Sequence, residues 1–137
     1  YPIIITRCSN NYGPNQHSEK LIPLMIQKAK NGEKLPVYGD GRNIRDWIHV
    51  QDHCEAIDTV LHNGRDGEVY NIGGQDERRN IEIVNTIIDK MGGEIEYVDD
   101  RKGHDWRYAM NTEKIEFELD WEPKISFKEG IEELLNR

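Results

Sequence analysis

Lys34-Leu-Pro-Val-Tyr-Gly-Asp-Gly-Arg-Asn-Ile-Arg-Asp-Trp-Ile-His-Val-Gln-Asp52 is the stretch from which the rest of the chain can be read. Two β-like runs, residues 35–38 and 44–50, flank a Gly39-Asp40-Gly41 turn. The second run leads into a helix that Asp52 is placed to cap. The turn sets Tyr38 and Arg45 on neighbouring segments. An aromatic face beside a guanidinium fork can grip a nucleotide, because the base stacks while Arg donates two parallel hydrogen bonds to an anionic oxygen. An ordinary hairpin with a surface Tyr and a surface Arg accounts for the same residues, and the stretch alone does not choose between them.

Upstream, residues 2–6 read Pro-Ile-Ile-Ile-Thr, apolar at consecutive positions, the pattern of a strand inside a parallel sheet covered on both faces. Few other runs in the chain can pair with it, which reads as a piece taken from the middle of an α/β domain. Residues 7–17 are rich in Asn, Gly and Pro and read as a loop. Ligands of open α/β sheets lie outside the carboxyl ends of the strands, so Asn10 and Asn11 either face a site or form a simple turn. A helix over residues 18–31 places Leu21, Leu24, Met25 and Ala29 on one side, tolerates Pro23 in its first turn and stops at Gly32. Lys20 lies at the end of that helix that favours anions; it is either part of an anion site or a solvated surface cation.

Downstream, residues 51–62 read as a helix with Cys54, Ile57, Val60 and Leu61 as its apolar stripe. Residues 68–72 form a short strand, and Asn80 is placed to cap a helix whose stripe is Val84, Ile87, Ile88 and Met91. Residues 95–98 form another strand, leading into the charged loop Asp99-Asp100-Arg101-Lys102-Gly103-His104-Asp105, a diphosphate clamp or a solvated loop. Asn111 caps a short helix to Leu119, and Ser126 with Glu129 forms a capping box for a last helix bearing Ile131, Leu134 and Leu135.

The 137 residues are enough for one core, burying roughly 70% of the unfolded surface. A charged fraction of 32% and the lack of any apolar run near the ~20 residues that cross a bilayer point to a soluble chain without a membrane partner. The net charge of −8 argues against nonspecific nucleic-acid binding, so an anionic ligand must be met by a local basic pocket. Two cysteines, Cys8 and Cys54, make neither a metal knuckle nor a disulfide framework and fit a reducing cytoplasm. His49 and His53 share an i, i+4 spacing but lack a supporting carboxylate pattern, so no metal is expected.

Several segments, in order, resemble one family over nearly the whole chain. They are Arg7-Cys-Ser-Asn-Asn-Tyr-Gly-Pro14, Glu19-Lys-Leu-Ile-Pro-Leu24, Leu35-Pro-Val-Tyr-Gly-Asp-Gly41, Ile44-Arg-Asp-Trp47, Tyr70-Asn-Ile-Gly-Gly74 and Gly103-His-Asp105 followed by Arg107-Tyr-Ala109. The chain resembles the C-terminal part of dTDP-glucose 4,6-dehydratases, members of the extended short-chain dehydrogenase/reductases. The implied fold is α/β: a small mixed substrate-binding domain plus strands and helices of a truncated Rossmann-type parallel sheet. The resemblance implies that residues 1–137 are one nucleotide-sugar-binding portion. Its dTDP-sugar contacts would be Asn10, Lys20, Leu21, Pro36, Val37, Tyr38, Arg45, Asn80, Asp100, Arg101, Lys102, Gly103 and His104. Arg45 and Arg101 would serve the diphosphate, Tyr38 and its neighbours the thymine, and Asn10 the sugar and phosphates. Asn11 would lie near the nicotinamide of NAD, held mainly by an absent N-terminal part that also carries the catalytic residues. The family pattern is broken at Lys102, where proline is usual, and at Asn15-Gln16-His17, where aromatic residues are usual. UDP-sugar epimerases or decarboxylases, and a free-standing nucleotide-sugar binding module, are the competing readings. The family implies a homodimeric parent, and the orphaned first strand implies self-association of this chain.

Overall fold

Alternation along β4 (Ile44–His49) assigns its side chains to two different cores. Trp47 packs in one with Tyr12, Phe127 and Ile131; Ile48 packs in the other with Tyr70, Ile72, Ile115 and Trp121. That division is the two-residue period of a strand expressed in packing. The computed structural model describes residues 1–100 and 106–137.

In chain order, β1 (Ile5–Cys8) pairs in parallel with β5 (Val69–Ile72) as a two-stranded sheet. β2 (Asn10–Tyr12) runs parallel to β4, with Asn10 opposite Trp47. β6 (Glu77–Arg79) is antiparallel to β4, and β8 (Arg107–Tyr108) is parallel to it, so Arg45 faces Arg78 on one and Tyr108 on the other. β3 (Leu35–Tyr38) pairs in parallel with β7 (Ile95–Val98). α1 (Leu21–Lys30) and α3 (Asn80–Met91) pack on each other over the first core, which α5 (Phe127–Leu135) closes. α2 (Val50–Asn63) and α4 (Glu113–Leu119) cover the second. Fully buried aliphatics such as Ile22, Ile83 and Ile87 contribute about 1.5–3 kcal/mol each.

Three aspartates tie the loops to this frame. Asp46 accepts from the Gly74 and Asp76 amides, Asp76 accepts from Phe127 N, and Asp52 accepts from the Lys124 and Ile125 amides. The Ser126–Glu129 pair caps α5 as the sequence predicts, with Glu129 N donating to Ser126 Oγ.

Several expectations from the sequence fail, each for a physical reason. The 35–38 and 44–49 runs are strands but not a hairpin. Gly39 and Gly41, both at positive φ (58° and 70°), turn the chain out of the β3–β7 sheet and into the β4 sheet. Val50 begins α2 rather than ending β4, and the cap is His49, whose ring accepts from Gln51 N; Asp52 is spent on the 124–125 amides instead. Asn80 is likewise the first residue of α3, not its cap, and Glu82 reaches back to Arg79 N. Asn111 stands one residue before the cap Thr112, yet its side chain still accepts from Glu113 N. Residues 7–17 are not all loop, since Arg7 and Cys8 end β1 and Asn10–Tyr12 is β2, paired too far away in sequence for local pattern to reveal. The first strand starts at Ile5, finds β5 as a neighbour, and is exposed along its length rather than covered. The 51–62 stripe turns out differently as well: Ala56 and Val60 are buried, while Cys54, Ile57 and Leu61 are exposed. No helix among the described residues is long and apolar enough to cross a membrane.

Candidate functional site

Strand β2, strand β4 and the start of α1 converge on a cleft of about 370 Å³ lined by Asn10, Asn11, Gln16, Lys20, Leu21 and Trp47. The first turn of α1 has no acidic residue and no side-chain cap, and Lys20 is the N-cap residue. Open amides and a cation at a helix N-terminus form an anion site. Asn10 and Trp47 are register partners across β2 and β4, which is why two residues so far apart in sequence meet here.

β4 extends this site toward a second group. Arg45 and Trp47, two residues apart, lie on the same face of the strand about 7 Å from each other. Beyond Arg45 lie the residues around the Gly39–Gly41 turn. Ile81 N donates to Gly41 O and Asn80 N to Asn43 O, so the start of α3 is pinned to this turn. Asp100 packs against Gly39, whose amide donates to Val98 O. Tyr38 ends β3 and is 39% exposed as a residue, while Val37 is in the core and offers a ligand only its backbone. Pro36 lies with Tyr38 on the outer face of β3. Ile44 N donates to Trp106 O, and the Arg42 guanidinium lies over the Trp106 ring at 5.7 Å. Arg101, Lys102, Gly103 and His104 lie outside the described residues.

Asn11 is held by a directional network. Its Nδ2 donates to Ser9 O at 3.1 Å and points toward Cys8 Sγ at 3.5 Å, and its Oδ1 is 2.8 Å from His53 Nδ1. The amide orientation makes His53 Nδ1 the donor. Burial holds the His53 imidazole below its usual pKa, favouring the neutral ring with its proton on Nδ1. His53, set aside in the sequence as a metal ligand, is thus a neighbour of the site. Among the described residues no group of His, Cys, Asp and Glu is arranged to hold a metal.

Sequence reasoning missed Gln16 and Trp47. The signal for Trp47 was its i, i+2 relation to Arg45; for Gln16 there was none, because its place depends on Gln16 Nε2 donating to Asn11 O at 3.0 Å.

A mixed α/β unit with parallel pairing and a helix N-terminus beside strand ends is the arrangement of open α/β folds of the Rossmann type, whose ligands lie outside the carboxyl ends of the strands. The chain belongs to the family described as GDP-mannose 4,6 dehydratase, whose model matches residues 1–134. Within it, the chain is 53% identical to dTDP-glucose 4,6-dehydratase of Xanthomonas campestris pv. campestris, over 95% of this chain and 40% of that protein. It is 54% identical to the low-salt glycan biosynthesis protein Agl12 of Haloferax volcanii, over 96% of this chain and 43% of the relative. Among solved structures, dTDP-glucose 4,6-dehydratase from Bacillus anthracis in complex with NAD matches with TM-score 0.92 and 60% identity, over 98% of this chain and 44% of that one. UDP-glucose 4-epimerase from Thermotoga maritima shares the fold at TM-score 0.90 and 28% identity, over 97% of this chain and 44% of that one. The fold is therefore that of the C-terminal part of extended short-chain dehydrogenase/reductase dehydratases and epimerases. The chain spans about 40% of the length of the curated relatives it matches.

Proposed function

We propose that this chain is the nucleotide-sugar-binding portion of an NAD-dependent dTDP-glucose 4,6-dehydratase, converting dTDP-glucose to dTDP-4-keto-6-deoxyglucose and water. The observation that carries the reading is that β4, which holds Trp47 of the Lys20 cleft, also carries Arg45 toward the Gly39–Gly41 turn, next to which Tyr38 ends β3 and Asn80 starts α3. On this reading a diphosphate lies between them. Lys20 and the open amides of α1 meet it at one end and the Arg45 guanidinium at the other, while Tyr38 stands where a base can stack. Asn10 contacts the phosphates or sugar, and Leu21 lines the cleft.

When bound, NAD supplies a hydride acceptor for the hexose C4 and a hydride donor for C6. The chain's own contribution toward it is Asn11. With Oδ1 taken by His53 and one Nδ2 proton by Ser9, the other N–H donates to Cys8 Sγ, a weak acceptor that a carboxamide carbonyl would replace. The remaining NAD contacts, and the groups that move protons, lie outside these residues. The parent acts in the cytoplasm as a homodimer.

Calorimetric titration of the chain with dTDP and with UDP tests the reading. Saturable dTDP binding that weakens at least tenfold in Arg45→Ala is the expected result, from the loss of a bidentate charged contact of about 1.5–3 kcal/mol. A preference for UDP would favour the epimerase reading, and equal indifference to both would overturn the proposal. No dehydratase turnover is expected from the chain alone; turnover in a preparation free of other dehydratases would refute that expectation.

A further inference from the structure

On the functional reading above, Asn11 is the group this chain offers to NAD, and its side chain is held from a different element. Asn11 stands opposite Ile48 in the β2–β4 pairing, and its backbone carbonyl accepts from Gln16 Nε2 at 3.0 Å. With the backbone held, the carboxamide keeps one freedom, the half turn that exchanges Oδ1 with Nδ2. Nδ2 lies 3.1 Å from Ser9 O, which only accepts, so that half turn would set two carbonyl oxygens against each other. On the opposite side Oδ1 lies 2.8 Å from His53 Nδ1, and only a proton-bearing Nδ1 donates to it. His53 belongs to the first turn of α2, which packs on β2 and β4 and is tied down through Asp52 to the Lys124 and Ile125 amides. Burial disfavours the imidazolium, so the donor is a neutral ring on a fixed helix. What the arrangement leaves for a ligand is the second Nδ2 proton, resting on the Cys8 thiol at 3.5 Å, an acceptor weak enough to give up.

We propose that His53 is a positioning residue for the NAD contact, locking the Asn11 carboxamide through its Nδ1–H so that Asn11 meets the nicotinamide carboxamide as a donor. The inference rests on the functional reading above and adds to it the group that decides which end of Asn11 the cofactor meets. The end matters because the nicotinamide carboxamide carries both a carbonyl and an NH2. An Asn11 free to turn would accept either of its two orientations, whereas an Asn11 held as donor takes the carbonyl alone.

The chain is titrated with NAD, with ADP-ribose, which lacks the nicotinamide, and with dTDP, in wild type, His53→Asn and His53→Leu. The Asn11 side-chain amide and the His53 ring nitrogens are followed by NMR. Asparagine sets an N–H donor where Nδ1 stands; leucine fills the space without one. In wild type the ring is expected to carry its proton on Nδ1, and NAD but not ADP-ribose is expected to shift the Asn11 Nδ2 protons. The NAD affinity read at Asn11 is expected to stay within about twofold in His53→Asn and to weaken about tenfold in His53→Leu, the loss of one hydrogen bond. A wild-type ring protonated on Nε2, or an undiminished response in His53→Leu, would overturn the proposal. So would an equal loss in both variants, which would trace the effect to packing of the ring rather than to its donor. If NAD leaves the wild-type Asn11 amide unmoved while dTDP still binds, the proposal falls and the nucleotide-sugar reading stands. If dTDP fails to bind as well, both fall.

Discussion

Asp52 sits in the first turn of α2, where an acidic side chain ordinarily serves its own helix, yet its carboxylate accepts from Lys124 N and Ile125 N, seventy residues away in sequence. At 1% exposure, its loss leaves two amides without an acceptor. Asp52→Ala is expected to lower the unfolding free energy by about 3 kcal/mol, and Asp52→Asn, which keeps one acceptor oxygen, by less than half of that. Urea titration measures both, and an alanine variant within ~0.5 kcal/mol of wild type would contradict the assignment. His53 gives a pH dependence whose sign follows from burial. The folded state disfavours the imidazolium, so the unfolded chain takes up its proton first as pH falls. The stability His53 contributes is whole above the ordinary histidine pKa of 6.5 and is lost as pH falls toward the lowered folded value. Between about pH 7.5 and about pH 5.5 the urea midpoint of wild type is expected to drop more than that of His53→Asn, which keeps a donor to Asn11 but does not titrate. Asp52 and His53 also mark what single-residue reading cannot see. An Asp after a strand looks like a cap, and a His without a supporting carboxylate pattern looks like a surface residue, because partners from residues 124–125 and from Asn11 are invisible to local spacing.

At the scale of elements, what the sequence conveyed was periodic and local. α3 and α5 were legible because Val84, Ile87, Ile131 and the Ser126–Glu129 pair belong to one helix each. The pairings were not, because β2 with β4 and β3 with β7 join runs separated by more than thirty residues, and nothing in Leu35–Tyr38 names Ile95–Val98 as its partner. The site followed the same division. Arg45 and Lys20 were legible as charged groups in marked positions, whereas the cleft that unites Asn10 with Trp47 exists only through strand register. α5 offers a test of packing against propensity. Gly130 lies inside this helix, where alanine is intrinsically better by about 1 kcal/mol. A Cβ there would overlap the Tyr12 hydroxyl and sit 2.8 Å from its ring, and Tyr12 is wedged among Trp47, His49 and Phe127. Gly130→Ala is therefore expected to destabilise by about 1–3 kcal/mol despite its better propensity. A rise in thermal midpoint would show that Tyr12 can move aside.

For the molecule as a whole, apolar surface left outside the two cores decides behaviour in solution. Ile5 is 50% exposed and Leu61 is 74% exposed, and β1 has β5 as its hydrogen-bonded neighbour among the described residues. Ile5 N donates to Glu68 O and Ser9 N to Ile72 O, so alternate amides of β1 point at β5, and those of Thr6 and Cys8 point to the other edge. An edge with open donors and apolar side chains is a template for another strand. The chain is accordingly expected to self-associate, with a sedimentation coefficient that rises over roughly a hundredfold range of concentration. Thr6→Pro removes one outward donor without touching a β1–β5 bond, and proline is tolerated on edge strands. That variant is expected to sediment as a monomer at every concentration, with stability within about 1 kcal/mol of wild type. If it still associates while Leu61→Lys does not, the contact runs through the outer face of α2 and the strand edge is a bystander. If neither substitution changes the sedimentation, the exposed apolar surface of β1 and α2 is not what holds the copies together.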